Sequence, residues 1–171
     1  MATEIWKDIP GYEGQYQASD QGRIRSVDRI ENTARGPWHY KGKILRPGVY
    51  CKSGHVSVVL GHGRNGSPVH QLVMATFIGP RAKDADVRHL NGNPKDNRLS
   101  NLAYGSRTEN IIDVYRQGKR WRRLNLKEVY QIKESLSQGV KGSVLAKQYG
   151  VTATTISAIK TGTTYAWVGE A

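Results

Sequence analysis

Residues 87–115, VRHLNGNPKDNRLSNLAYGSRTENIIDVY, decide the fold at the centre of this chain. A strand-like run ends at His89, and the loop after it is rich in the Gly, Pro, Asn and Asp residues that build turns. The segment from Leu99 to Tyr104 then offers a returning strand. Ser106 and Glu109 have the spacing of a helix capping box. The stretch therefore predicts a strand, a loop, a second strand and a helix.

Three polar side chains of this stretch can meet at one small cavity. His89 lies on the predicted hairpin, and Asn110 and Asp113 stand three residues apart on one face of the predicted helix. A neutral imidazole can take a proton from water near neutral pH, while amide and carboxylate oxygens are suitable ligands for Mg2+. The pattern therefore indicates metal-assisted phosphodiester hydrolysis, although each residue alone also has an ordinary structural interpretation.

The spacing of His89, Asn101 and Asn110 resembles the HNH nuclease family, and RHLNGNPKDNRLSNL, GSRTENIID and VHQLVMATFIGP resemble its phage and intron homing endonucleases. The resemblance implies a ββα-metal fold, with His89 as the general base that activates water. It makes Asn101 the brace of the hairpin loop and Asn110 a metal ligand. It also implies Mg2+, Mn2+ or another divalent cation as cofactor, and product ends with a 5′-phosphate and a 3′-hydroxyl.

Position 88 departs from the family pattern. Many members carry a carboxylate immediately before the base as a second metal ligand, whereas this chain has Arg88. Because a cation cannot ligate a metal, either Asn110 and phosphate oxygens hold the ion or Asp113 supplies the missing carboxylate. Asp113 can equally cap or salt-bridge its helix. Arg88 is interpreted as a clamp on the scissile phosphate, which a guanidinium can bind with two hydrogen bonds, or as an exposed strand residue.

The charge of the chain calls for a polyanionic partner. Lys and Arg number 26 against 14 Asp and Glu, a net charge of +12, which favours double-stranded DNA over an acidic small substrate. An RNA-binding module would show the same charge. Cys51 is the only cysteine, so an intrachain disulfide is excluded and no structural zinc site is expected. The sequence shows neither a leader pattern nor a long apolar run, which indicates a soluble, cytoplasmic protein without a membrane partner.

Residues 1–60 predict a small antiparallel β module that contacts DNA. EIWKDI, GQYQAS and GRIRSV are strand candidates between turn-forming segments. The stretch that contains them resembles the modular motif fused to the N-terminus of HNH homing endonucleases. Arg23, Arg25 and Arg29 are interpreted as the basic face of one strand that lies on phosphates, or as a charged edge that discourages strand pairing. The segment 32–54 is predicted to be irregular.

Residues 61–118 form the predicted HNH domain, which begins before the histidine stretch. HVSVVL and SPVHQL predict a hairpin joined by GHGRNG, followed by a short helix through Phe77. His70 is placed just before this helix and is interpreted as a structural or phosphate-contacting residue. His55 and His62 receive no role.

Residues 119–171 predict a basic linker and a helix-turn-helix. GKRWRR is the connector, and LKEVYQIKESLSQG is the first of three predicted helices. The last two have a small Ala146 where the helices cross and Gly150 at the turn, with apolar residues at the spacing that joins such helices. The second helix, from about Thr152 to Thr161, presents polar side chains outward for a DNA groove: Thr152, Thr154, Thr155, Ser157 and Lys160.

These features predict an α+β chain with a β-rich N-terminal module, a central HNH nuclease and a C-terminal helix-turn-helix. The predicted function is site-specific cleavage of DNA. One nuclease motif in a chain that is expected to be a monomer favours nicking of one strand. The alternative is a DNA-binding regulator built on an inactive HNH fold, which the missing carboxylate before His89 allows.

Overall fold

The computed structural model describes residues 3–61, 65–119 and 123–169, which form short strands and helices. The antiparallel sheets combined with helices confirm the predicted α+β class. The strands are β1 (Trp6–Asp8), β2 (Tyr16–Ser19), β3 (Ile24–Ser26), β4 (Arg29–Thr33), β5 (Gly36–Tyr40), β6 (Gly48–Val49), β7 (Val56–Val58), β8 (Ser67–Pro68), β9 (Ala85–His89) and β10 (Leu102–Ser106). The helices are α1 (Val69–Phe77), α2 (Arg107–Arg116), α3 (Leu126–Ser137), α4 (Gly142–Tyr149) and α5 (Ala153–Lys160), with a 3-10 turn at Leu99–Asn101.

The first three strands form an antiparallel sheet in the order β1-β2-β3, as the sequence predicts. The tight turn between β2 and β3 uses Gly22 at φ +79°, a backbone conformation that favours glycine. The 3-10 turn at Leu99–Asn101 packs near this turn, since the Leu99 backbone N–H donates to the Asp20 carbonyl at 2.8 Å. The N-terminal sheet therefore supports the loop that precedes β10.

The prediction that residues 32–54 are irregular is wrong in two places: β4 and β5 form an antiparallel hairpin within residues 29–40, and β6 pairs with β7. Side chains on both faces of this hairpin are mostly exposed, and Ile30 and Trp38 are each 61% exposed. A strand with no buried face shows no alternation of apolar and polar residues, so the pattern that usually identifies strands is absent. The hairpin is instead supported by cross-strand contacts such as the Arg29 guanidinium, 4.2 Å from the centre of the Tyr40 ring.

The prediction that Arg23, Arg25 and Arg29 share one strand is also wrong. Arg25 lies in β3, Arg23 precedes that strand, and Arg29 begins β4. Val27 and Asp28 separate the two strands, and the Asp28 carboxylate accepts a hydrogen bond from the Gly42 backbone N–H at 2.7 Å. The three arginines therefore do not alternate along a single strand.

The central sheet has the order β6-β7-β8, so the predicted pairing of the two segments around GHGRNG is present in shortened form. Residues 62–64 of that loop, including His62, lie outside the described residues. α1 begins at Val69, directly after Pro68, whose φ of −61° already suits a helix start. His70 is therefore in the first turn of α1 and not before it, which corrects the predicted placement.

Residues 1–110 form one compact unit. Its core takes side chains from both the predicted N-terminal module and the predicted HNH domain, so the boundary at residue 60 passes through a shared core. The buried apolar residues are Ile9, Tyr16, Ala18, Ile24, Val56, Val58, Leu60, Val69, Val73, Met74 and Leu102. The division into three functional modules stays a prediction, and the folding units are larger than those modules.

Residues 111–171 form a second compact unit. α3 begins with a capping box between Asn125 and Glu128, and α4 ends at Gly150, whose φ of +62° makes the left-handed turn to α5. Of the connector GKRWRR, residues 120–122 lie outside the described residues. Among the described residues, no helix is long and apolar enough to cross a membrane. The core of this unit is formed by Tyr115, Leu124, Val129, Ile132, Leu145, Ala146, Ile156, Ile159, Tyr165 and Val168.

Candidate active site

The β9–β10 hairpin holds His89 at the end of its first strand, opposite Leu102 of the second. Side chains of the loop between the strands stabilise its turns by hydrogen bonds to the loop's own backbone. The Asn91 side-chain oxygen accepts from the Asn93 backbone N–H at 2.8 Å, and the Asn93 side-chain oxygen accepts from the Lys95 N–H at 3.1 Å. Such contacts replace the backbone hydrogen bonds of a regular turn. The Asn-rich loop thus carries the chain from His89 back to β10.

His89 is oriented by Asn97. Its Nε2 lies 3.2 Å from the Asn97 Oδ1, and the Asn97 amide nitrogen donates to the Lys95 carbonyl, which fixes the amide with its oxygen toward the ring. Nε2 therefore carries the proton and Nδ1 carries the lone pair. Burial lowers the pKa of His89, and the Asn97 hydrogen bond opposes this only in part. The imidazole is neutral at physiological pH and can accept a proton at Nδ1.

Asn101 joins the two ends of the same loop. Its side chain is buried, and its Oδ1 accepts from the Asn91 backbone N–H at 2.9 Å. Its Nδ2 donates to the Asn91 Oδ1 at 3.0 Å and to the Asp96 carbonyl at 2.7 Å. A carboxamide supplies the acceptor and both donors that this arrangement uses, which neither a carboxylate nor a hydroxyl can do. The geometry suits a bracing residue, and its contribution to catalysis stays a prediction.

Arg88 faces the opposite side of β9 from His89, because successive strand residues alternate. Its guanidinium lies beside Gly105 of β10, where an added Cβ would stand 2.6 Å from Arg88 Nε. Its Nη1 is 3.7 Å from Oε1 of Glu109. Glu109 also accepts hydrogen bonds from the backbone and hydroxyl of Ser106, which lower the pKa of its carboxyl group. Arg88 thus has a structural partner in the first turn of α2, and its action as a phosphate clamp stays a prediction.

Asn110 and Asp113 both lie in α2 and are partly exposed, and one carboxylate oxygen of Asp113 is buried. The boundary between the two compact units falls directly after Asn110. In the described ranges, no group of three or more His, Cys, Asp and Glu side chains is arranged to hold a metal ion. With a cation at position 88, the residues that the resemblance assigns to the metal do not fit a carboxylate-based site. Their role as ligands stays a prediction.

Two histidines that received no catalytic role from the sequence pack around His89. The ring centres of His55 and His70 are 5.0 Å apart, and they lie 5.3 and 5.2 Å from that of His89. Burial, with a smaller contribution from the two neighbouring imidazoles, lowers the pKa of His70 to about 3. Helical spacing contains a signal for His70, because Val73 and Met74 follow it by three and four residues on the buried face of α1. No comparable signal marks His55.

Comparison with known proteins explains this architecture. Residues 4–61 match a family described as the NUMOD4 motif, and residues 67–111 match one described as HNH endonuclease. The DNA endonuclease I-HmuI of Bacillus phage SP01 is 30% identical over 135 residues, which cover 78% of this chain and 68% of that protein. The chain belongs to the HNH endonuclease family. The predicted resemblance and the predicted nuclease class are therefore confirmed.

Two further similarities agree with this membership. An uncharacterized HNH endonuclease of Acanthamoeba polyphaga mimivirus is 29% identical over 117 residues, which cover 64% of this chain and 25% of that longer protein. A solved structure, titled DNA binding and cleavage by the HNH homing endonuclease I-HmuI, matches with a TM-score of 0.52 at 25% identity. That match covers 92% of this HNH endonuclease and 90% of the solved chain. The likeness thus extends over both compact units.

The three arginines predicted to contact DNA stand beside aromatic rings of this HNH endonuclease. The guanidinium of Arg25 is 4.3 Å from the centre of the Trp6 ring, and that of Arg23 is 5.7 Å from it. Arg23 also forms an ion pair with Glu4. Arg29 donates to Glu31 at 2.6 Å, and this hydrogen bond raises the pKa of the guanidinium. These contacts hold the arginines in place, and their contact with DNA stays a prediction.

The polar residues predicted on the second helix of the helix-turn-helix divide into two groups. The side chain of Thr152 caps α5 by accepting from the Thr155 backbone N–H at 3.2 Å, so these two residues serve the helix start. Thr154, Ser157 and Lys160 are exposed along α5. The hydrogen bonds described at the helix start do not involve the side chains of these three, and the contact of all five residues with DNA stays a prediction.

Proposed function

We propose that this HNH endonuclease hydrolyses one phosphodiester bond of double-stranded DNA in a reaction that depends on a divalent metal ion. The products carry a 5′-phosphate and a 3′-hydroxyl. The observation that carries the proposal is the state of His89: its Nε2 is tied to Asn97 at 3.2 Å, and its Nδ1 is a neutral base inside a buried cluster. A histidine that is held in one tautomer and kept neutral suits the activation of water.

In the proposed reaction, Nδ1 of His89 takes a proton from the water that attacks phosphorus. Asn97 holds the imidazole in place while it becomes charged, since its side-chain oxygen accepts from Nε2 in both protonation states. Asn101 keeps the loop closed around this contact through its three hydrogen bonds. The chain thus supplies the base and its orientation.

A divalent metal ion, when bound, would neutralise charge on the scissile phosphate and on the leaving oxygen. HNH nucleases generally use such an ion, and Mg2+ and Mn2+ are the first candidates for this chain. Asn110 offers an amide oxygen to it, and Asp113 offers a carboxylate three residues further along the same helix. Arg88 is unsuited to the role of a ligand, because its cationic group is engaged by Glu109.

The net charge of +12 supports DNA as the partner, and the exposed arginine and lysine side chains would lie on phosphates. Arg23, Arg25 and Arg29 are proposed to contact the backbone of the duplex. Thr154, Ser157 and Lys160 of α5 are proposed to select the site, with Thr152 and Thr155 holding the helix start. A single nuclease motif means that a monomer nicks one strand.

The test is relaxation of supercoiled plasmid by the wild-type chain with Mn2+, with Mg2+ and with EDTA. We expect His89→Ala to lower the cleavage rate by about 100- to 10,000-fold, because it removes the general base. Binding of DNA should change by no more than a few-fold. His39→Ala is the matched control, since His39 is exposed on the β4–β5 hairpin. Cleavage by His89→Ala at the wild-type rate would remove His89 from the reaction.

The same experiment separates the endonuclease from the second candidate, a DNA-binding regulator built on an inactive HNH fold. The observation behind this candidate is Arg88, which stands where many family members carry a metal-binding carboxylate. A regulator binds plasmid without relaxing it under any metal condition. In that case wild type and His89→Ala behave alike, and the salt dependence of binding remains strong.

A further inference from the structure

Helix α2 belongs to both compact units, and the two residues proposed as metal ligands lie on either side of the division. Residues 107–110 end the first unit, and residues 111–116 begin the second. Asn110 is therefore the last residue of the first unit, while Asp113 belongs to the second. Because both residues are on one helix, whatever fixes α2 also fixes the positions of their oxygens.

α2 is too short to be stable by itself. It has ten residues, and a helix of fewer than about 12–15 residues is marginal in water without tertiary packing. Its first turn is supported by the capping box of Ser106 and Glu109 and by the ion pair of Glu109 with Arg88. All ten residues of α2 are described, and Tyr115 is the only buried one. The second half of the helix therefore depends on what packs around Tyr115.

Tyr115 packs in the core of the second unit against two aromatic residues that follow α5. Its hydroxyl forms a buried hydrogen bond with the Tyr165 hydroxyl at 3.0 Å. Its ring centre is 5.8 Å from that of Tyr165 and 5.7 Å from that of Trp167, separations at which aromatic pairs attract each other. Two residues near the end of the chain thus hold the one buried side chain of α2.

The segment that contains these two rings, residues 161–168, is itself firmly held. The Lys133 ammonium group of α3 donates a hydrogen bond to the Val168 carbonyl. Tyr165 has a φ of +57°, and among the described residues it is the one non-glycine residue with a positive φ. Such a backbone conformation persists only where the surroundings determine it, and it is frequent at functional positions. In this unit it occurs at the residue that binds the Tyr115 hydroxyl.

We propose that segment 161–168 is a positioning element of the nuclease, which holds Tyr115 and thereby fixes α2 together with Asn110 and Asp113. The proposal rests on the ligand roles proposed above for these two residues. The segment begins where α5 ends, so its task is separate from the DNA contacts proposed for that helix. The C-terminal unit then serves both the choice of the DNA site and the placement of the groups that act on the phosphate.

Amide hydrogen exchange of the full chain, without DNA or metal, tests the support of α2 directly. Trp167→Ala removes a ring beside Tyr115 and should speed the exchange of the α2 amides of residues 111–116 by about 10-fold or more. The amides of α3 should change less. Tyr149→Phe is the matched control, because it removes a tyrosine hydroxyl that donates to Gln131 at 3.2 Å in the same unit. It should leave the exchange of α2 unchanged.

Tyr165→Phe is the milder variant, and it decides the question should Trp167→Ala unfold the second unit. It keeps the ring and removes the hydroxyl, so exchange in α2 should rise by about 2- to 10-fold, the factor that one neutral hydrogen bond supplies. Tyr115→Phe removes the same hydrogen bond. The double variant should therefore exchange as fast as either single variant.

Plasmid cleavage, at a temperature where the variants are folded, tests the effect on the reaction. Trp167→Ala should lower the cleavage rate at saturating DNA by about 10- to 100-fold, because a displaced helix misplaces the groups it carries. It should also raise the Mg2+ concentration for half-maximal cleavage. DNA affinity should change by no more than a few-fold, and Trp167→Phe, which restores a ring beside Tyr115, should recover most of the rate.

The proposal is overturned if α2 exchanges in Trp167→Ala and Tyr165→Phe as it does in wild type, or if α2 and α3 accelerate equally. It is also overturned if variants with faster exchange in α2 cleave at the wild-type rate with the wild-type Mg2+ requirement, a result that keeps the proposed hydrolysis. A wild-type chain that does not cleave, combined with faster exchange of α2 in the variants, would refute the hydrolysis and keep the support of α2 by segment 161–168.

Discussion

Gly22 is the residue through which the N-terminal sheet supports the loop of the active site, and its replacement by alanine tests that support. A Cβ at this position would stand 2.5 Å from the Asn97 carbonyl carbon, 2.6 Å from its oxygen and 2.9 Å from the Arg98 nitrogen. All three are backbone atoms, which cannot turn aside as a flexible side chain can. Gly11 has the same φ of +79°, and an added Cβ there meets no atom within 4 Å.

The two glycines separate the backbone cost from the contact cost. An alanine in the left-handed conformation lowers the free energy of unfolding by about 1–2 kcal/mol, and we expect this loss in both Gly11→Ala and Gly22→Ala. Gly22→Ala must in addition push the Asn97 backbone away, and overpacking of this kind costs about 1–3 kcal/mol more. We therefore expect a loss of about 2–5 kcal/mol in the free energy of unfolding for Gly22→Ala, against about 1–2 kcal/mol for the control.

The displacement of the Asn97 backbone should also lower the cleavage rate, because the Asn97 side chain holds Nε2 of His89. A shift of about 1 Å in a positioning group can cost about 100-fold in rate. Urea unfolding of both variants gives the stabilities, and plasmid cleavage at a temperature where both are folded gives the rates. The reasoning is refuted if Gly22→Ala is no less stable than Gly11→Ala, or if the two cleave equally fast.

Three further outcomes test other parts of the molecule. Burial lowers the pKa of His70 to about 3 from 6.5, so the folded chain binds fewer protons there than the unfolded chain between these values. Stability in urea should fall by about 1.4 kcal/mol per unit as pH drops below about 6, and His70→Leu should lack this part of the slope. Replacing Thr154 and Ser157 by alanine should reduce discrimination between DNA sites by about 10-fold in competition binding, with the cleavage rate retained; equal discrimination contradicts the role of α5. Arg88→Asp puts a carboxylate beside Glu109 and should cost about 1 kcal/mol in urea unfolding, and a gain in stability would show that position 88 faces elsewhere.

The active-site hairpin was predictable because the side chains that form and close it are neighbours in the sequence. His89, Asn101 and the residues of the loop lie within thirteen positions, and the side-chain contacts that close the loop join neighbours in sequence. The capping box of Ser106 and Glu109 is likewise local, and the structure contains both of its hydrogen bonds. Where a motif is held by contacts of short range, residue types and spacing are enough to place it.

The β4–β5 hairpin and the imidazole cluster were not predictable for opposite reasons. The hairpin has no buried face, so hydrophobic periodicity gives no signal for either of its strands. The cluster depends on long-range packing, since His55 and His89 stand 34 residues apart in the sequence while their ring centres are 5.3 Å apart. The spacing of residues along the chain does not predict this contact, because it depends on how the sheet and α1 pack together.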